Sequence, residues 1–188
     1  MLNKLILFII IIFNFNYQNT FADNKEKIID RLDQINNIKF NFTQKTNEKI
    51  TDGTCILVFN SKIRCDYNDS KQKTIIISST SLIVFQRRYD KKYYYPVSKS
   101  PFIKILNKGD LINIVRVSDI LKSEKNIYIN YVDTNNQKIT IFFDINTFDL
   151  LGWKMQDQFQ NQINFSINKI LINQSVAPEI FKIDKNFK

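Results

Sequence analysis

The first residues to weigh for chemistry are carboxylates. Asp66 with Asp69, and Asp144 with Asp149, are close pairs, and Asp157 follows in a polar stretch. Two carboxylates at the right separation can run a hydrolysis, one as acid and the other as base or nucleophile. Most of these, however, stand beside turn residues, where an Asp caps the backbone, and that is the role expected of them. The 188 residues contain no His. Ser-His-Asp and Cys-His nucleophile systems, His general bases and His-ligated zinc are thereby excluded. The glycines Gly53, Gly109 and Gly152 stand far apart, so neither a P-loop nor a GxGxxG loop exists. Two Cys cannot build a four-Cys metal site. No metal, no cofactor and no enzymatic activity are expected.

Cys55 and Cys65 flank a turn at Asn60–Ser61. A hairpin centred at residue 60 places them directly opposite each other, and a centre half a residue later puts them out of register. A disulfide and a pair of buried free thiols both remain open. Tyr93-Tyr94-Tyr95 in a chain of net charge +9 suggests a stacking platform for single-stranded nucleic acid. On a strand, however, successive tyrosines alternate faces and cannot form one row. No nucleic-acid partner is expected.

The elements that must position these residues begin after a targeting segment. Lys4, an apolar run over Leu5–Phe15 and Thr20-Phe21-Ala22 read as a secretory signal cleaved after Ala22. The run is short for a membrane span, which needs about 20 residues. Residues 23–188 then form a single domain, with a charge of +8 once Lys4 is removed from 27 Lys+Arg against 18 Asp+Glu. Export places both Cys where a disulfide is permitted. Asp23 and Glu26 resemble a capping box, and Ile28, Leu32 and Ile35 recur at helical spacing, which predicts an amphipathic helix over 24–36. From Lys39 the period becomes two. Ile127, Ile129 and Tyr131 against Ile139, Ile141 and Phe143 make a hairpin about Asn135-Asn136. Ile163, Phe165 and Ile167 alternate strictly with polar residues. Further strands are expected near 39–50, 53–59, 63–68, 73–78, 81–86, 91–96, 111–118 and 148–157, with a short helix at Pro101–Asn107. About ten hairpin-linked strands cannot remain a flat sheet. The expected fold is mainly β: a curled antiparallel sheet forming an open half-barrel, with helices over its concave side or mouth. Its apolar residues build either an ordinary closed core or a cavity for lipid, and composition does not separate the two.

Several segments resemble the LolA family of periplasmic outer-membrane lipoprotein carriers. They are Phe40-Asn41-Phe42-Thr43-Gln44 after the helix; Gly53, then Lys62-Ile63-Arg64 and Tyr67 about a tight turn; Tyr95-Pro96 with Ser100-Pro101-Phe102 and Ile105-Leu106; Leu150-Leu151, Trp153 and Asp157; and Phe181. The family's Arg-Pro before the turn falls on Phe59-Asn60. In the family that Arg is held to fasten a lid helix, so this lock is absent or rebuilt. Gln160 and Asn164 replace a family Gly and Thr.

The resemblance implies a carrier that shields the acyl chains of lipoproteins and moves them across the periplasm from inner to outer membrane. It would receive cargo from an inner-membrane ABC-type release complex, deliver it to an outer-membrane acceptor or membrane surface, and work as a monomer. The implied lipid-binding residues are Ile28, Leu32, Ile35, Leu57, Phe59, Phe102, Ile105, Leu106, Ile141, Phe143, Trp153, Phe165 and Ile167. Phe59 or Arg64 would control the lid. A lipid-binding or lipoprotein-sensing half-barrel that does not shuttle is the alternative, and a periplasmic hydrolase is a third.

Overall fold

The computed structural model describes residues 23–60, 62–78, 81–96, 103–133, 136–157 and 160–182. The signal segment, Pro101 and Phe102 lie outside them. Eleven strands form one antiparallel sheet: β1 (Asn37–Thr46), β2 (Lys49–Val58), β3 (Lys62–Tyr67), β4 (Lys73–Ile77), β5 (Ser81–Gln86), β6 (Lys91–Pro96), β7 (Asp119–Lys122), β8 (Asn126–Val132), β9 (Lys138–Asp144), β10 (Leu150–Gln156) and β11 (Gln162–Ile172). Their order is β6-β5-β4-β3-β2-β1-β11-β10-β9-β8-β7. Two hairpin meanders are thus joined where β1 pairs with β11. The end strands β6 and β7 do not pair, so the sheet curls without closing, as the count of short strands predicts. Register shifts at Lys39/Asn41 and Leu150/Gly152 add local twist.

Alternation separates the two faces. Ile38, Phe40 and Phe42 on β1 and Ile139, Ile141 and Phe143 on β9 point inward and are buried. Helix α1 (residues 23–33) lies against that concave side through Ile28, Ile29 and Leu32. It ends three residues before the predicted 36, because the chain must turn into β1 at Asn37, although Ile35 still enters the core. Helices α2 (Ile103–Leu106) and α3 (Lys108–Val117) complete the layer.

The strand predicted over 111–118 is a helix. Ile112 with Ile114, and Val115 with Val117, mimic alternation, but Leu111, Ile114 and Val115 are the buried residues, at helical spacing on one face. The Asn107 side chain accepts the Asp110 N–H at 3.1 Å and caps its start. β7 follows at Asp119, where no strand was predicted. The predicted strand over 39–50 is interrupted by a turn at Asn47, whose φ of 51° Asn tolerates.

Candidate functional site

The concave face begins as an aromatic floor. Trp153 stacks on Phe165 at 4.2 Å, Phe165 on Phe42 at 4.7 Å, and Tyr67 meets Phe42 edge-on at 4.8 Å. Gly53 sits between Phe42 and Tyr67 in the register. A Cβ there would meet the Phe42 ring at 2.8 Å and press into the Asp66 carbonyl, so only Gly lets the rings close over the strand. Tyr67 is buried, which pushes its phenol pKa up, with the Asp69 charge adding to it. The phenol donates to Gln44 Oε1 at 2.8 Å. Gln44, Gly53 and Tyr67, which stand far apart along the chain, therefore meet at one point.

Cys55 and Cys65 stand opposite each other, as a turn centred at residue 60 requires, and are bonded. Both are buried in the concave wall.

Of the thirteen implied lipid-binding residues, Phe102 lies outside the described residues. The other twelve all lie in one hydrophobic cluster and are each at most 6% exposed. Spacing of the right kind also marked residues that belong with them, notably Phe40, Ile63 and Ile129, and the mistaken strand hid Leu111, Ile114 and Val115. The helices fill the trough closely. A cleft lined by Leu32, Ile35, Ile38, Phe59, Leu150 and Ile170, with Asp149 beside them, has about 10 Å³ of free space, enough for about one water.

The helical layer is tied down by a few polar contacts. The Phe59 N–H donates to the Asn36 carbonyl at 3.1 Å, just after α1, and the Asn60 N–H donates to the Leu106 carbonyl at 3.2 Å, at the end of α2. Lys108 on α3 donates to the Asp33 carbonyl at 3.3 Å, and Lys25 on α1 to the Arg116 carbonyl at 3.0 Å. Each of these helices thus caps the other's C-terminal end with an ammonium. Lys104 donates to the Tyr131 hydroxyl at 3.0 Å.

Arg64 makes none of these contacts with the helical layer. It points to the outer face, where it donates to both Asp66 oxygens at 2.8 and 3.2 Å and to the Ile180 carbonyl at 2.9 Å. Strand alternation dictates this: Ile63 and Cys65 point inward, so Arg64 cannot. The carboxylates have structural roles. Asp69 accepts from the Lys71 and Lys73 N–H groups, Asp144 from Asn146 and Thr147, Asp157 from Asn161, and Asp149 pairs with Arg31 at 2.7 Å. Among the described residues, no three His, Cys, Asp or Glu side chains are grouped to hold a metal.

The sequence model of the outer membrane lipoprotein carrier protein LolA matches residues 33–184. The chain belongs to the LolA family. No curated protein sequence matches it. Among solved structures, MucB is similar with a TM-score of 0.53 at 12% identity, covering 87% of this chain and 64% of that one. The MucA/MucB complex of Pseudomonas aeruginosa gives 0.51 at 9%, over 88% and 61%. An uncharacterized conserved protein from Thermus thermophilus gives 0.53 at 7%, over 87% and 96%. The chain thus spans somewhat under two thirds of the MucB chains it resembles. At these identities the likeness is one of fold. As a LolA-family chain, it carries the family's carrier-type fold: a sheet whose apolar concave side is roofed by helices.

Proposed function

We propose that this protein is a periplasmic carrier that shields the acyl chains of lipoproteins and moves them from the inner to the outer membrane. It would take cargo from an ABC-type release complex and pass it to an outer-membrane acceptor or to the membrane surface. The observation that carries this reading is the attachment of the helical layer. Its apolar faces fill the concave trough, while the polar ties of α2 and α3 reach α1, one tight turn and one tyrosine, and the ion pair to the β9–β10 connection, Arg31 with Asp149, belongs to α1. Lifting α2 and α3 exposes an apolar trough with stacked aromatics at its floor. An acyl chain loses about 0.8 kcal/mol per exposed CH₂ in water, and such a trough recovers it without directional bonds, so release remains possible. The twelve buried residues named above would exchange contacts across the helix–sheet interface for contacts with lipid, and Phe102 is proposed to bind the lipid with them.

The test is a transfer assay. The purified protein is incubated with energised inner-membrane vesicles that hold the release complex and an acylated lipoprotein, and soluble complexes are analysed by native mass spectrometry before and after adding outer membranes. A soluble one-to-one complex that is lost to outer membranes supports the carrier. A lipid-loaded protein that never hands its cargo on is the non-shuttling half-barrel, and an empty protein with ester turnover is an enzyme.

A further inference from the structure

The concave wall does not stop at the buried core. One cross-strand row runs Phe40–Cys55–Cys65–Ile75–Val84–Tyr93, and a second runs Ile38–Leu57–Ile63–Ile77–Leu82–Tyr95. Both start fully buried and end at the free edge of the sheet, where Tyr93 is 39% and Tyr95 45% exposed. Tyr94 points to the other face at 67%, and Tyr89, in the turn between β5 and β6, is 53% exposed. That turn and the start of β6 carry Arg87, Arg88, Lys91 and Lys92 against Asp90. Among the described residues, the sole carboxylate within 4.0 Å of these four cations is Asp66, at 3.9 Å from Arg87. Arg88 donates to the Ser70 carbonyl and keeps its charge.

We infer that the β5–β6 hairpin is a docking edge for an anionic phospholipid surface. Tyrosines on both faces of one edge strand suit the headgroup zone of a bilayer, where an amphipathic ring has an apolar and a wet side together. The cations beside them match lipid phosphates in charge. An acidic protein partner accounts for the cations but not for rings turned both ways. Seated there, the two apolar rows run from bilayer to trough without a polar break. This last step rests on the carrier reading; the docking itself does not.

The experiment is flotation of the cargo-free protein with vesicles of phosphatidylethanolamine, with and without phosphatidylglycerol. Binding is expected only with phosphatidylglycerol. The double variant Arg88→Glu/Lys91→Glu should lower the partition coefficient at least about 25-fold, at about fivefold per cation lost. Lys138→Glu/Lys154→Glu, an equal charge change at exposed outer-face positions of β9 and β10, should change it far less. Tyr93→Ser/Tyr94→Ser/Tyr95→Ser should bind at low salt but be released by salt that leaves the parent bound. Absence of binding to anionic vesicles, equal losses in the two charge variants, or unchanged salt resistance in the tyrosine variant would each overturn the docking edge. Failure of lipoprotein transfer with vesicle binding intact would count against the carrier reading alone.

Discussion

The backbone N–H of Asn60 donates to the carbonyl of Leu106 at 3.2 Å, joining the β2–β3 turn to the end of α2. The preceding N–H, on Phe59, donates to Asn36 beyond α1. One turn therefore clasps the ends of two helices with consecutive main-chain donors. Asn60 adopts φ of 70°, which Asn accepts more readily than most residues. At the position of the family's Arg-Pro this chain has a buried ring and main-chain bonds to the helices. Phe59 is 6% exposed, with Lys108 Nζ 5.8 Å from its ring centre. A neutral hydrogen bond contributes about 0.5–1.5 kcal/mol net, so each bond of the clasp is weak enough to break if the helices lift, as the proposed carrier role requires.

Ile105 should decide whether the helical layer opens as a unit. It is fully buried on α2, and a carboxylate in its place cannot stay there unpaired. Since α2 is a four-residue helix held by few polar ties, the cheaper response is for α2 to swing outward. Ile105→Glu is expected to lose bound lipid and to bind a hydrophobic dye, while its β-sheet circular dichroism and a cooperative melt persist. Outright unfolding would show that α2 is permanent core.

Much of this was legible in the chain. Strict alternation at Ile163–Ile167 and the period-two run Ile139, Ile141 and Phe143 give both the strands and their inward faces, because a pleated strand turns successive residues to opposite sides, while Phe142, buried on the other face, breaks the polar half of the pattern. The Cys pair was legible up to half a residue of turn register. The segment Leu111–Val117 was not, since β-branched residues at 112, 114, 115 and 117 fit either period, and the cap at Asn107 is what decides. The motif around Arg64 gives its position along the chain but not its partners, Asp66 and the Ile180 carbonyl, on the outer side of the sheet. The clasp was illegible in principle, as backbone donors leave no mark on residue type.

Arg64→Ala and Phe59→Arg should separate the outer face from the lid. Loss of Arg64 removes the bond to Ile180 and the main cation at Asp66, so residues 174–182 should become more sensitive to protease, at a cost of about 1–3 kcal/mol. Lipid release should not change. Phe59→Arg places a guanidinium beside the Leu106 carbonyl and removes a ring from the trough, so lipid should be released at a different rate with the protease pattern unaltered. Exchange of these two phenotypes would return lid control to Arg64.

The disulfide closes a short loop, with ten residues of sequence separation. Loop closure of that length is worth about 2–4 kcal/mol through the unfolded chain. Cys55→Ala/Cys65→Ala is expected to lower urea stability by that amount and leave the fold intact, because the pairing of β2 with β3 continues on both sides of the bond. Alanine is the better probe, since serine would bury two hydroxyls in an apolar wall. A drop below about 1 kcal/mol would mean that strand pairing alone holds the hairpin.

Asp66 should make stability fall with acid. Burial by itself would raise its carboxyl pKa. Hydrogen bonds from Arg64 and from Thr74, the latter at 2.6 Å, together with the charges of Arg64 and Arg87, outweigh that and hold it below the ordinary value of 3.8. The folded state therefore favours the ionised form more than the unfolded chain does. Such a group contributes fully above the unfolded value, and its contribution disappears as pH falls through the lowered folded value. Asp66→Asn keeps the shape and removes the charge. The gap in unfolding free energy between parent and variant should be widest near about pH 7 and should narrow toward about pH 3. The Thr74 contact and the strand pair β3–β4 remain in both proteins, so the part of the gap that varies with pH belongs to the carboxylate with Arg64 and Arg87. A gap that stayed constant across that range would mean the cluster stabilises the outer face by packing and hydrogen bonds, with no contribution from its charge.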